Sequence, residues 1–188
     1  LSVDPIVAAA QFISQVQNIV SREIAPLNAA VVTIGKIEGG TARNQIPDTV
    51  TLQGAIRTHS EDVRTASKDA ITRIAEGVGT ATRTKIDVEF LQGVGVVKSD
   101  PAILEQVVAT ARDILGDEQV ICLPQGSMGS EDFAEFSSRI PSAHLRIGSK
   151  ATDRATMLHR SNFDLDETCI ATAVRVIANA ALRLSSSD

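Results

Sequence analysis

The sequence predicts an α+β fold. Its first half is ferredoxin-like, an antiparallel sheet with two helices whose first strand is missing, and its second half is rich in helix. Three observations carry this reading. The hydrophobic periodicity of residues 1–97 runs helix, strand, strand, helix, strand, and a ferredoxin-like unit has that order with one more strand in front. The pattern changes near Lys98, beyond which helices dominate and strands are short, so the halves divide as 1–97 and 98–188. Both halves open on the same punctuation, Asp4-Pro5 and Asp100-Pro101, with aspartate suited to the N-cap and proline to the first helical position.

Each element has its own signal. After Asp4-Pro5, residues Ile6, Ala10, Ile13, Val16 and Val20 share one face at helical spacing, and Pro26 stops the helix. Ala29 to Ile34 is a β-branched apolar run and reads as a strand. A polar loop from Gly39-Gly40 to Pro47-Asp48 follows. Val50, Leu52, Gly54 and Ile56 then alternate with Thr51, Gln53, Ala55 and Arg57, which gives a half-buried strand with Arg57 on the face away from the core. Ser60-Glu61-Asp62 starts a second helix, with Val63, Ala66, Ala70, Ile74 and Val78 as its stripe and Gly77 and Gly79 marking its end. Ile86, Val88 and Phe90 alternate with Lys85, Asp87 and Glu89 as a third strand. The absent leading strand is a first sign that the chain begins inside a domain.

In the second half, Ile103, Leu104, Val107, Ala111, Ile114 and Leu115 form the apolar face of the helix opened by Asp100-Pro101, and Gly116 closes it. Val120 to Leu123 and Ala143 to Ile147 read as short strands. Ser130-Glu131-Asp132 reads as a helix start with acids in the first turn. Asp164 and Glu167 make an aspartate version of the capping box, and Val174, Ile177, Ala181 and Leu184 stripe the last helix. This half has too little sheet to bury its short strands, a second sign of a missing piece.

Composition narrows the class of function. Of 188 residues, 43% are hydrophobic and 22% charged, which is globular. The formal net charge of -5 argues against nucleic acid or an anionic membrane as partner. No apolar run approaches the length of a membrane span, no signal peptide is visible, and two separated cysteines make no disulfide framework. These features point to a cytoplasmic protein. Tryptophan and tyrosine are absent, which removes aromatic cages and base-stacking platforms.

The chemistry concentrates in two segments, Met128-Gly129-Ser130-Glu131-Asp132-Phe133 and Leu158-His159-Arg160-Ser161-Asn162-Phe163-Asp164. His159 sits in a loop before a capped helix, a place suited to a metal ligand or a proton carrier. A catalytic zinc normally takes three protein ligands. The other histidines, His59 and His144, and the cysteines, Cys122 and Cys169, fall in no ligand spacing and read as structural. Either His159 is structural too, or the other ligands lie elsewhere. Taken singly, Gly129-Ser130 reads as a helix cap, Asn44 as turn chemistry and Arg57 as a solvated charge.

Taken in order, the motifs are far more specific. Asp4-Pro5-Ile6, Thr41-Ala42-Arg43-Asn44-Gln45-Ile46-Pro47-Asp48, Leu52-Gln53-Gly54-Ala55-Ile56-Arg57-Thr58 and Ser99-Asp100-Pro101 precede the two segments above. The series resembles the metal-dependent aminoacylase-like amidohydrolases, which include N-acyl-amino-acid amidohydrolases, hippurate hydrolases and hydrolases of indole-acetyl-amino-acid conjugates. The resemblance implies an α/β catalytic domain with two divalent metal ions, zinc or manganese, interrupted by a lid domain that mediates homodimerisation. This chain would be the lid plus the C-terminal segment of the catalytic domain. His159 matches the family's C-terminal metal ligand. Asn44 and Arg57 match substrate contacts of the lid, which often reach the partner subunit's site, and Gly129 and Ser130 match the segment along the substrate pocket. The implied substrate is a small N-acyl amino acid. Two details depart from the family pattern: Gln45 stands in the loop where the family has valine, and the proline common shortly after the C-terminal ligand is missing from Arg160-Ser161-Asn162.

The remaining ligands and the glutamate base have no match in the chain, so no residue here is assigned as catalytic and the chain alone is expected to be inactive. Hydrolysis of an amide by a metal pair needs an activated water, a carboxylate to take its proton, and donors for the developing oxyanion. Arg57 can instead orient a free carboxylate with its planar fork. A reading from another class is a non-catalytic ferredoxin-like module for dimerisation or ligand binding.

Overall fold

The computed structural model describes residues 2–150 and 158–186, and two compact units make it up. One comprises residues 1–96 with 126–131, the other 97–125 with 132–188.

In the first unit, helix α1 (Pro5–Asn18) is capped as its sequence predicts: the Asp4 carboxylate accepts from the Ile6 and Val7 amides at 2.9 and 3.4 Å. It continues into a π-turn, Ile19–Glu23, closed by the Ile24 amide on the Ile19 carbonyl. The buried face is Ala8, Ala9, Phe12, Val16 and Ile19, rotated from the predicted stripe, and Ile6, Ala10 and Val20 are exposed. Phe12 decides the rotation, because its ring carries the largest apolar area on the helix. Strand β1 (Ala30–Gly39) is longer than predicted, and Gly35 is an unpaired bulge between Ile34 and Lys36. Strand β2 (Val50–Thr58) pairs with it antiparallel, with Val31 opposite Arg57 and Ile34 opposite Gly54. Val32, Ile34, Leu52 and Ile56 turn inward onto the core, and Arg57 is exposed as the alternation requires.

Helix α2 (Glu61–Thr82) contradicts the glycine stop. It runs through Gly77 and Gly79 and ends at Arg83 in the left-handed region, φ 59°. Gly79 is there for packing. A β-carbon on it would stand 2.9 Å from the Thr84 carbonyl oxygen, where the chain turns back across the helix. Ala70, Ile71, Ile74, Ala75 and Val78 join the α1 face to make one core over the two-stranded sheet.

The third strand is the main miss in this unit. Residues 84–96 form neither helix nor strand; Ile86 packs on the core, yet the segment has no ladder partner among the described residues. The alternation is present, but alternation alone does not supply the second strand that a ladder needs. The segment is fixed by side chains instead: Arg64 donates to the Val94 carbonyl at 2.8 Å, and Glu61 accepts from the Val96 amide.

In the second unit, helix α3 (Pro101–Leu115) matches its prediction. Asp100 accepts from the Ala102 and Ile103 amides, Val107 and Ala111 are buried, and Gly116 leaves the helix at φ 87°. The two short strands form no ladder among the described residues, and Ile121 and Leu123 are exposed. The helix expected at Ser130 is the short α4 (Ala134–Ser137), with no side-chain cap, so Ser130 is a loop residue and not an N-cap. Helix α5 (Thr168–Ser185) begins later than predicted. Its N-cap residue is Glu167, and just before it Asp166 accepts from the Thr168 hydroxyl at 2.7 Å and the Thr168 amide at 2.9 Å. These bonds, the hydroxyl first, hold the Asp166 carboxyl below its ordinary range, so the carboxylate keeps accepting them through that range and loses them only as pH falls through its lowered pKa.

The predicted stripe on α5 is real but mostly faces away from the packing. Val176 and Ala180 are buried, whereas Val174 and Ile177 are 61% and 56% exposed. The helix is thus apolar on two sides, and α3 covers only one. At 18 residues it is also long and apolar enough, by length and composition, to cross a membrane, contrary to the sequence reading. Its contact with α3 and the 3.0 Å Arg183–Asp113 bridge are those of a packed helix.

Candidate functional site

Strand β2 brings Arg57 to the Met128-Gly129-Ser130 segment, although 71 residues separate the partners in sequence. The Arg57 Nη1 donates to the Met128 carbonyl at 2.8 Å. Two residues on, in the bend just past β2, the His59 Nε2 lies 3.2 Å from the Ser127 carbonyl. A carbonyl only accepts, so Nε2 carries the proton. Within the segment the Ser127 Oγ accepts from the Gly129 amide at 3.0 Å, a local turn. Gly129 and Ser130 are exposed beside it.

The Arg57 guanidinium has five N–H donors, and the Met128 carbonyl takes one. Arg57 makes no ion pair with a carboxylate among the described residues. A fixed, exposed and unneutralised guanidinium can receive a carboxylate in bidentate fashion. Asn44 lies in the turn of the β1–β2 connection, exposed, where the Gln45 amide bonds the Ala42 carbonyl. Its side chain makes no hydrogen bond among the described residues. Sequence reasoning gave His59 only a structural reading. Its partner carbonyl lies 68 residues away in sequence, which no local pattern announces.

His159 belongs to the second unit. It is exposed in a turn with φ 64°, one of two non-glycine residues in the left-handed region among those described. That conformation costs a side-chain-bearing residue roughly 1–2 kcal/mol. Strain of this kind gathers where a side chain is needed in one place. Just after it the Phe163 amide bonds the Arg160 carbonyl, and the Asp166 amide bonds the Ser149 carbonyl, tying the turn to the start of α5. Met157, at the head of this motif, lies outside the described residues.

A metal centre does not close on these residues. Among those described, no three His, Cys, Asp or Glu side chains converge to hold an ion. His159 is therefore at most one ligand, and a complete donor set needs residues beyond those described.

The ordered motifs and the trace of the chain are those of a peptidase family. The chain belongs to peptidase family M20/M25/M40, whose profile matches residues 8–183. It is 36% identical over 185 residues to an N-acetyl-L-cysteine deacetylase of Bacillus subtilis (strain 168), covering 98% of this chain and 43% of that protein. It is 31% identical over 172 residues to an N-acetyldiaminopimelate deacetylase of Streptococcus uberis, covering 91% of this chain and 44% of that one. The solved structure of a dinuclear metal-binding peptidase of the M20 family from Bacillus subtilis superposes with TM-score 0.82 at 27% identity, over 99% of this chain and 47% of that one. The chain thus spans less than half the length of these relatives.

Proposed function

We propose that the chain is the lid and the C-terminal catalytic segment of an enzyme that hydrolyses the amide bond of small N-acyl amino acids. The observation that carries the reading is the Arg57 guanidinium: exposed, unpaired with any carboxylate among the described residues, and held to the segment before Gly129 and Ser130 by the Met128 carbonyl. An N-acyl amino acid has one charged group remote from its scissile amide, its carboxylate, and Arg57 is the group to hold it. The deacetylase relatives named above support that substrate class. Asn44, Gly129 and Ser130 contribute neutral hydrogen bonds. In the complete enzyme His159 is one ligand of a two-ion centre, with zinc the better match to an imidazole donor and manganese the alternative. The lid pairs two copies into a homodimer. The two cysteines are free, which suits a reducing cytoplasm. Family membership weighs against the non-catalytic module.

The chain alone is inactive on this reading, since one ligand does not make a catalytic centre. Calorimetric titration of the chain with zinc shows only weak binding; a tight stoichiometric site would refute the ligand count. The substrate role is tested in the complete enzyme by pairing an N-acetyl amino acid with its carboxamide. Arg57→Ala raises KM for the acid by about 10- to 100-fold, the worth of a charge-assisted hydrogen bond, and leaves the carboxamide nearly unchanged. Equal losses on both would remove the carboxylate from the argument.

A further inference from the structure

We propose that His59 is a positioning residue, which with Arg57 clamps the Ser127–Met128 backbone to the end of strand β2. The inference deepens the substrate reading above and rests on it. Arg57 lies near the end of β2 and His59 in the bend just past it, and their donors meet two consecutive carbonyls, those of Met128 at 2.8 Å and Ser127 at 3.2 Å. The segment they hold has no regular structure, and its own Ser127 Oγ to Gly129 amide bond closes only a local turn. The imidazole also lies over Gly126: a β-carbon there would meet the ring at 3.4–3.5 Å. A bare glycine lets the backbone pass close beneath the ring, with room for little more than a methyl group.

The clamp has a consequence for Arg57. A single hydrogen bond leaves a guanidinium free to swing about it. The plane of the fork is set only if the Met128 carbonyl is itself fixed, and the adjacent Ser127 carbonyl, held by His59, fixes it. Without His59 the charge of Arg57 remains but its aim is lost. The loss appears in the binding of a carboxylate that needs two parallel N–H bonds.

The test uses three variants of the complete enzyme. Glutamine places an amide nitrogen near the reach of Nε2, asparagine stops near Nδ1, and phenylalanine keeps the ring without a donor. His59→Phe and His59→Asn raise KM for an N-acetyl amino acid by about 3- to 10-fold, the worth of one neutral hydrogen bond, with kcat and thermal midpoint nearly unchanged. His59→Gln stays within about twofold of the wild type. A second readout needs no substrate: the Gly129 amide exchanges hydrogen faster in His59→Phe and at the wild-type rate in His59→Gln. If phenylalanine and glutamine behave alike in both readouts, the clamp is overturned. Faster exchange with unchanged KM overturns the positioning role. If Arg57→Ala fails to separate acid from carboxamide while the exchange result holds, the fault lies in the substrate reading and not in the clamp.

Discussion

His159→Ala in the complete enzyme lowers turnover by about 10²- to 10³-fold and depletes bound metal, with the fold intact. A metal ion contributes several kcal/mol to an amide hydrolysis barrier, and each ~1.4 kcal/mol is a factor of ten. The residue is exposed, so its removal leaves no buried cavity. Its backbone is the one complication, because φ is 64°. Asparagine tolerates that region better than most residues, so His159→Asn removes the imidazole without adding strain. Equal damage in both variants, with metal content measured beside activity, assigns the effect to the ligand. Normal activity and full metal occupancy in either would return His159 to a structural turn.

What the sequence made legible was decided locally. The aspartate-proline caps at residues 4 and 100, the alternation of β2 and the exposure of Arg57 depend on a few adjacent residues, and all appear in the structure. Elements that need a distant partner were read less well. Residues 85–90, 120–123 and 143–147 have strand patterns, but a strand is a hydrogen-bonded pair, and no second strand lies beside them among the described residues. The stripe on α5 failed for a related reason: its periodicity marks an apolar face without saying whether anything covers it. Gly79 was misread because a helix-ending glycine and a packing glycine look alike until the returning chain at Thr84 is seen. In the site, residue types pointed to Arg57, Gly129 and Ser130, but not to the backbone carbonyls that join them or to His59.

Mixing an Arg57→Ala subunit with a His159→Ala subunit of the complete enzyme restores no activity. The family resemblance implies that Arg57 reaches the partner's site; we propose instead that it serves its own chain, on the ground of its 2.8 Å bond to Met128 beside Gly129 and Ser130. If Arg57 serves its own chain, the site with an intact His159 lacks its arginine and the site with an intact arginine lacks its histidine, so no hybrid site is whole. If it serves the neighbour, one site in two is rebuilt, from the wild-type His159 of one chain and the wild-type Arg57 of the other. Recovery of that half-activity in verified heterodimers would overturn the same-chain assignment. Asn44 supplies the contrasting arm. It stands exposed in the β1–β2 turn with no side-chain hydrogen bond among the described residues, so nothing ties it to its own chain's segment. An Asn44→Ala subunit mixed with a His159→Ala subunit is expected to regain one site in two. Failure of that pair, with dimers verified, would place Asn44 on the same side as Arg57 and leave the lid's pairing without a role in substrate binding.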